Sequence, residues 1–185
     1  MPKTLKKKLK KKEVTGIIIE KPIPAQLMTD SLYNYIPKEK EIEGLRLKAL
    51  VLPPQGLAIL TMIKYFLTGK INDKIIIDPK KDVNFWKKTL KNKKIVLLGR
   101  DEIYAKPITK VFQEFKINHL NIDLNIKSTE EYLQQADIII NTSDKSLENY
   151  SLKPNSFIIH YSSLNTSLEP LVVYYLFKNM VGVNK

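Results

Sequence analysis

Three short apolar runs in the second half of the sequence constrain the fold most strongly: Ile95 to Leu98, Ile138 to Ile140 and Phe157 to Ile159. Each run is continuously apolar rather than alternating, which is typical of a parallel strand buried on both faces. Helical segments are predicted between them, at Ile108 to Phe115 and Thr129 to Gln135. The alternation predicts an α/β fold: a Rossmann-like open, mostly parallel sheet with helices on both faces.

Local signals predict the remaining elements. Apolar residues recur at helical spacing from Gln55 to Leu67, and Gly69 is the expected stop of that helix. The other predicted elements are, in chain order, a strand from Val14 to Glu20, a short helix from Gln26 to Ile36, a strand from Lys74 to Asp78, a helix capped by Asp82, a strand in NHLNIDL, and a capping box formed by Ser128 and Glu131.

The segment from Ile95 to Phe112 has the layout of a nucleotide-binding turn. A buried strand leads into Gly99 and Arg100, and a helix is predicted after Pro107. The chain holds only six glycines, and the glycine-rich phosphate loop typical of dinucleotide folds is nearly absent. The turn alone leaves open whether a cofactor still binds there.

Composition excludes several kinds of site. The chain has no cysteine, which rules out disulfides and thiolate metal ligands. Its two histidines, His119 and His160, lie far apart in sequence, so no metal site is expected. No apolar run approaches the roughly 20 residues needed to cross a bilayer, so no membrane span is expected.

The charge balance favours a polyanionic partner. Lys and Arg total 31 against 19 acidic residues, a net charge of +12, which is typical of proteins that bind nucleic acid. Only Arg46 and Arg100 are arginines, so phosphate contact is favoured over recognition of bases. An AT-rich coding genome would also enrich lysine, and this alternative weakens any argument from composition alone.

Two groups of lysines are candidate contacts to RNA or phosphate. Residues 1–13 form the densest basic block, interpreted either as a solvated terminus or as an arm that binds RNA or membrane phosphates. The second group lies near the only tryptophan, Trp86. The candidate contacts are Lys6, Lys7, Lys8, Lys10, Lys11, Lys12, Lys87, Lys88 and Lys91.

Seven segments carry a family resemblance, in this order: VTGIIIEKPIPAQL, KEIEGL, LPPQGLAILTMIKYF, KKIVLLGRDEIYAKP, ADIII, LKPNSFIIH and EPLVVYYLFKNMV. Over most of Val14 to Val181 the chain resembles methylenetetrahydrofolate dehydrogenase/cyclohydrolase. The resemblance implies an NAD(P)-binding domain whose cofactor turn matches Gly99, Arg100, Lys106 and Pro107. It also implies a folate-site remnant at Glu20 and Glu43.

Departures from the family's pattern predict a degenerate site. The family's catalytic lysine and its tyrosine partner lie on a helix upstream of the matching segments, so that half is expected to be missing. Asp101 and Ala105 stand where the family has serine and glycine, and Glu169 replaces the glycine before the final helix. Each change adds bulk or negative charge where the dinucleotide would lie. No catalytic residue and no cofactor are expected, with weak residual NAD(P) binding left open.

Two further residues have competing interpretations. Asp123, near the end of the strand predicted in NHLNIDL, is either a ligand of a ribose hydroxyl or, as favoured, a surface carboxylate. His160 falls where the resemblance places an acidic residue, and a structural role is favoured over catalysis.

These inferences divide the chain into a basic arm (1–13), a remnant of the catalytic-domain end with its linker (14–54), and a Rossmann-like domain (55–185) with an insertion near 70–92. The favoured function is a catalytically inactive, repurposed dehydrogenase-like domain that is a structural, RNA-contacting component of a large ribonucleoprotein, such as a mitochondrial ribosome. The expected partners are RNA and proteins of that assembly rather than a second copy of the chain. The expected location is the mitochondrial matrix, or otherwise the cytoplasm.

Two alternatives belong to other functional classes. One is a reduced NAD(P)-dependent methylenetetrahydrofolate dehydrogenase/cyclohydrolase, which would need another group in place of the family's lysine. The other is a nucleotide-sensing interaction module, which would bind a nucleotide without turning it over.

Overall fold

Four parallel strands form the central sheet of the computed structural model, which describes residues 12–20, 23–24, 32–70, 75–99, 103–124, 128–162 and 167–183. In chain order the strands are β1 (Ile95–Leu98), β2 (Leu120–Ile122), β3 (Ile138–Asn141) and β4 (Phe157–His160). They lie in the order β2-β1-β3-β4, and each neighbouring pair is parallel. The predicted parallel sheet is confirmed.

Helices cover both faces of the sheet, as predicted. They are α1 (Pro54–Thr68), α2 (Val83–Thr89), α3 (Ala105–Glu114), α4 (Thr129–Leu133) and α5 (Glu169–Val183). The larger cluster of buried side chains joins α1, α2, α3 and α5 to one face, and the smaller cluster joins α4 and Leu147 to the other. In the described parts of the chain, no helix is long and apolar enough to span a membrane.

Proline and glycine fix the bounds of α1, the central helix of the larger layer. Pro54 occupies its first position. The N–H of a residue there makes no hydrogen bond within the helix, so proline, which lacks an N–H, is tolerated. The predicted stop at Gly69 is confirmed: its φ is 63°, and its amide donates to Tyr65 O at 2.8 Å. Gly56 lies against α3, because a Cβ at this position would come within 2.5 Å of Val111. The absence of a side chain there permits the close approach of α1 and α3.

Long polar side chains hold the linker that precedes α1. Lys110 of α3 donates from Nζ to Gly44 O at 2.6 Å and to Arg46 O at 2.8 Å. Asn179 of α5 donates from Nδ2 to Leu52 O at 2.9 Å. Gly44 has a φ of 69°, and a Cβ there would lie 2.5 Å from the carbonyl carbon of Leu52. The linker is therefore packed onto the same helical layer as α1.

The described part of the predicted insertion packs against α1 and α5. Ile77 N donates to the hydroxyl of Tyr175 in α5 at 2.8 Å. Asp82, the N-cap residue of α2, accepts hydrogen bonds from Lys64 Nζ at 2.9 and 3.0 Å, one to each carboxylate oxygen. Trp86 is 1% exposed and belongs to the main core. The insertion is thus an integral part of the larger layer.

Two predictions for the N-terminal part differ from the structure. The strand predicted from Val14 to Glu20 is wrong, because Ile17 makes only an isolated parallel bridge with Glu41 and no adjacent strand extends the ladder among the described residues. Of the helix predicted from Gln26 to Ile36, the described part is a 3-10 helix at Leu32–Tyr35. The rest of that prediction, up to residue 31, lies outside the described residues.

Three predictions at helix starts and in the insertion also need correction. The strand predicted from Lys74 to Asp78 is wrong in its described part, because Ile77 N bonds to a side-chain hydroxyl instead of a strand carbonyl. Asp82 is confirmed as the N-cap of α2, yet its carboxylate binds Lys64 instead of the helix amides. Ser128 is the N-cap of α4 but makes no side-chain capping bond, so the predicted capping box is wrong.

Candidate functional site

The topology places a candidate ligand crevice at the carboxyl ends of β1 and β3. The chain passes from β1 to β2 on one side and then to β3 on the other side of β1, so the strand order reverses between β1 and β3. In open α/β sheets, ligands bind outside the carboxyl ends of the strands at this reversal. The connections that follow β1, β3 and β4 therefore carry the candidate site residues.

The described residues on either side of the predicted cofactor turn are Gly99 and the segment from residue 103 onward. Gly99 follows β1 with a φ of 107°, which L side chains rarely adopt. Helix α3 begins at Ala105 rather than after Pro107, so the proline lies within the first turn, where its missing N–H is tolerated. Lys106 is exposed, whereas Ala105 and Pro107 are buried. Of the four predicted positions, Gly99 directly follows β1, Lys106 and Pro107 lie in the first turn of α3, and Arg100 lies outside the described residues.

Three side chains meet at the carboxyl end of the sheet, and we call Tyr104, Tyr161 and Glu169 the crevice cluster. Tyr104, in the connection from β1 to α3, packs edge-on against the ring of Tyr161, with ring centroids 5.2 Å apart and planes at 85°. Tyr161 follows β4, is 2% exposed, and donates its hydroxyl to Glu169 Oε1 at 3.2 Å. Because β3 lies between β1 and β4, this pair links the segments that leave the strands on either side of β3.

The electrostatics of the crevice cluster disfavour an anionic ligand. Burial raises the pKa of Tyr161, and the carboxylate of Glu169 raises it further, so the phenol stays neutral and remains a hydrogen-bond donor. Glu169 is the first residue of α5, where the positive end of the helix dipole favours a negative group. The protein's own carboxylate therefore occupies the position at which this helix would otherwise attract a phosphate.

The connection after β3 is closed by its own hydrogen bonds. The buried side chain of Asn141 accepts from Ser143 N at 3.0 Å and from Ser143 Oγ at 2.7 Å, and donates to Lys145 O at 2.9 Å. Thr142 donates its hydroxyl to Leu98 O, at the end of β1, at 2.6 Å. These bonds satisfy the polar atoms of the turn within the protein itself.

Asp123 and His160 lie at the ends of two other strands. Asp123 directly follows β2, about 20 residues beyond the turn glycine, which is the spacing of the ribose ligand in dinucleotide folds. Its carbonyl oxygen accepts a hydrogen bond from Thr129 Oγ1 at 3.1 Å. His160 is exposed at the end of β4, and its Nδ1 lies 3.3 Å from Asn141 Nδ2. The contact with the Asn141 turn supports the structural role predicted for His160.

The two positions predicted as a folate-site remnant lie close together, and one of them is engaged by the backbone. Glu43 is 3% exposed, and its Oε2 accepts a hydrogen bond from Ile19 N at 2.8 Å. Glu20, the next residue along the chain from Ile19, is exposed. Glu43 thus holds the segment around Ile19 against the linker.

The predicted phosphate contacts divide into two sets. Lys12, Lys87, Lys88 and Lys91 are exposed, and the last three lie together on α2 and directly after its end. The other predicted lysines, from Lys6 to Lys11, lie outside the described residues.

Sequence reasoning missed Tyr104 and Tyr161 as site residues. The available signal was the place of Tyr161 in the sequence, two residues after an apolar run, Phe157 to Ile159, that was predicted as a strand. A residue at that place lies at the carboxyl edge, where ligands of α/β sheets bind. Glu169 was identified only as a replacement of a glycine, and its hydrogen bond to Tyr161 depends on how α5 returns to β4.

Comparison with known proteins gives relatives of one kind. No family model matches the sequence. The bifunctional protein FolD of Mycoplasma mobile is 30% identical over 132 residues, which covers 68% of this chain and 40% of the relative. FolD of Lactobacillus acidophilus is 24% identical over 134 residues, covering 72% of this chain and 44% of the relative. The matched region spans about two fifths of the length of these curated relatives.

Solved structures agree with the sequence relatives. The 5,10-methylenetetrahydrofolate dehydrogenase of the silkworm Bombyx mori matches with a TM-score of 0.65 and 18% identity, over 98% of this chain and 71% of that chain. At this level of identity the likeness shows the fold. Since the sequence relatives are FolD proteins and the fold is theirs as well, the chain is a divergent member of the methylenetetrahydrofolate dehydrogenase/cyclohydrolase family.

Proposed function

We propose that this chain is a catalytically inactive, repurposed dehydrogenase-like domain that acts as a structural, RNA-contacting component of a large ribonucleoprotein. A mitochondrial ribosome is the specific assembly we propose, with the mitochondrial matrix as the location. The observation that carries the proposal is the crevice cluster, in which Tyr161 packs against Tyr104 and donates a hydrogen bond to Glu169 at the end of the sheet where a dinucleotide would lie.

Loss of dinucleotide binding is supported by charge as well as by packing. A dinucleotide brings a pyrophosphate to the carboxyl ends of the strands, and the Glu169 carboxylate at the start of α5 would repel it. Opening the crevice would require breaking the hydrogen bond between Tyr161 and Glu169 and separating two aromatic rings that contact each other edge-on. Both changes have a free-energy cost that binding would have to offset.

A role inside a larger assembly is supported by the surface. The net charge of +12 favours RNA as a partner. Helix α5 also exposes an apolar stripe, since Val173, Phe177 and Val181 recur every four residues and are 44%, 60% and 53% exposed. An exposed stripe of this kind is typical of a surface that a protein neighbour covers.

The test is sedimentation of the native protein from a gentle lysate of its own cells, with and without ribonuclease. Comigration with a particle of ribosomal size that is lost on ribonuclease treatment would support the proposal. Migration as a free monomer or dimer in both conditions would contradict it.

A second measurement tests the loss of cofactor binding. The purified protein is titrated calorimetrically with NADPH and NADH, beside a Glu169→Gly variant that restores the residue expected from the family. The wild type is expected to show no saturable heat of binding with either dinucleotide. Saturable binding by the wild type would contradict the inactive-site proposal.

A second candidate function, an NAD(P)-binding relative with reduced activity, is favoured by one specific observation. The β1–α3 turn keeps the positive φ of Gly99, and Asp123 directly follows β2, so two backbone features of a dinucleotide site remain in place. This candidate predicts that Asp123→Asn weakens a measurable NADPH affinity. The favoured proposal predicts no such affinity in either protein.

A further inference from the structure

Helix α2 presents a one-sided row of polar and basic residues to solvent. Asn84, Lys87, Lys88 and Lys91 are all exposed, and their spacing places them on one side of the helix and of the turn that follows it. Trp86, on the opposite side, is 1% exposed. We call Lys87, Lys88 and Lys91 the lysine face.

The helix that carries the lysine face is packed against the core. Trp86 packs edge-on against Phe85 and Phe115, with ring centroids 4.9 and 6.5 Å away. At the start of the helix, Asp82 is held by Lys64 of α1 through both carboxylate oxygens. These contacts attach α2 to the core, so the backbone that carries the three lysines is held in place by tertiary packing.

The positive charge of the lysine face is not neutralised by an ion pair with any acidic residue that the structure describes. Among the described residues, no carboxylate forms an ion pair with Lys87, Lys88 or Lys91. In the described part of the same segment, residues 75–92, the two acidic residues have other partners, since Asp82 binds Lys64 and Asp78 pairs with Lys81 at 3.4 Å. Asn84, the other exposed residue in the row, is uncharged. Within the part of the chain that the structure describes, the face therefore has three positive charges without an acidic partner.

The geometry points to the lysine face as the surface that binds the phosphate backbone of RNA, an inference that rests on the proposed function and specifies its contact surface. Lysine is a strongly hydrated point charge that contacts phosphates without reading bases, so this contact is independent of sequence. A membrane surface fits less well, because a helix that lies on a membrane inserts an apolar side. Here the only tryptophan is buried in the core and the exposed row is polar.

The test compares two variants with the same change in net charge, from +12 to +9. One removes the lysine face as K87Q/K88Q/K91Q. The matched control, K38Q/K48Q/K145Q, replaces three exposed lysines elsewhere on the chain. Affinity for a labelled single-stranded RNA and for an RNA duplex of equal length is measured over a series of KCl concentrations, after thermal melting has shown that both variants are folded.

The lysine-face variant is expected to bind RNA more weakly, with a plot of log affinity against log salt that is shallower by about 2 to 3 for three lost phosphate contacts. The control is expected to change the slope by less than about 1. Equal losses of RNA affinity in the two variants would overturn the inference that the lysine face is the RNA-binding surface, while leaving the proposed function in place. Absence of RNA binding by the wild type would overturn both.

A parallel titration with phosphatidylserine vesicles distinguishes RNA from a membrane surface. The RNA inference expects vesicle binding to be weak and to respond equally to the two variants. If the lysine-face variant loses vesicle binding but keeps wild-type affinity for RNA, the face binds lipid headgroups and the inference is overturned.

Discussion

Replacing Asp82 with alanine tests whether the inserted segment is an integral part of the fold. The carboxylate accepts hydrogen bonds from Lys64 Nζ at 2.9 and 3.0 Å and from Asp78 N at 2.8 Å. The side chains of Lys64 and Asp82 are only 10% and 13% exposed. Without Asp82, the ammonium of Lys64 would stay largely buried, and it would keep its contact with the ring of Phe85, whose centroid lies 5.5 Å away.

The expected loss follows from that unpaired charge. Removing one partner of a buried ion pair costs about 3–5 kcal/mol, because the other charge is left desolvated. Lys64→Met should cost less, about 1–3 kcal/mol, because the Asp82 carboxylate keeps its bond from Asp78 N. In the double variant no charge is left unpaired, so its loss should be smaller than the sum of the two single losses.

Urea and thermal unfolding of the four proteins of this cycle measure these terms. For a chain of this size, 3–5 kcal/mol corresponds to a fall in Tm of about 6–20 °C. Lys81→Met is the control, because its pair with Asp78 is exposed and should contribute less than about 1 kcal/mol. A loss below about 1 kcal/mol for Asp82→Ala, or strict additivity in the double variant, would refute the claim that this pair anchors the segment.

Three further predictions concern other parts of the chain. Gly44→Ala should lower the free energy of unfolding, measured in urea, by about 2–5 kcal/mol, because the φ of Gly44 is positive and a Cβ would lie 2.5 Å from Leu52. Gly69→Ala should lower it by only about 1–2 kcal/mol, because Gly69 also has a positive φ but its Cβ would point into open space. Burial pushes the pKa of Asp137 up, but bonds from Lys153 Nζ and a backbone amide outweigh it and hold that pKa below the ordinary 3.8. The wild type should be more stable than Asp137→Asn, with the full difference in unfolding free energy present above pH 3.8 and lost as the pH falls through the pKa of Asp137 in the folded state. Unfolding measured across acidic pH tests this, and a difference that stays constant with pH would contradict it. Phe177→Ser should change unfolding by less than about 0.5 kcal/mol, since the ring is 60% exposed, yet weaken comigration with the particle.

The sheet could be predicted from sequence because its signal is local. Continuous apolar runs identified β1, β3 and β4 within a residue of their observed ends, since a strand buried on both faces excludes polar residues. The same signal failed at Ile77, in an apolar run of the same kind. A strand also needs a neighbour, and the amide of Ile77 instead donates to the hydroxyl of Tyr175, which is 98 residues away in sequence. Apolar runs therefore predict burial more dependably than they predict strand pairing.

The crevice cluster could not be predicted, for a related reason. Tyr104 and Tyr161 meet only because the sheet order places β4 next to β3 and on the same side of β1, and no local pattern encodes that order. The bond from Tyr161 to Glu169 further depends on where α5 begins relative to β4. The substitution at Glu169 was visible in the sequence, but the partner that makes its carboxylate part of the structure was not.

Three residues at or near the family's site positions, Glu43, Glu169 and Asn141, have polar atoms that are engaged by the protein itself. Glu43 accepts a hydrogen bond from a backbone amide, and Glu169 accepts one from the hydroxyl of Tyr161. Asn141 accepts a hydrogen bond from a backbone amide in the turn that follows it. Glu169→Gly would remove the hydrogen bond from Tyr161 before it created a ligand contact, at a cost of about 0.5–1.5 kcal/mol. If these bonds stabilise the fold as the structure indicates, Glu169→Gly should lower stability and still give no measurable affinity for NADPH. Loss of the cofactor site and stabilisation of the fold would then be two effects of the same substitutions.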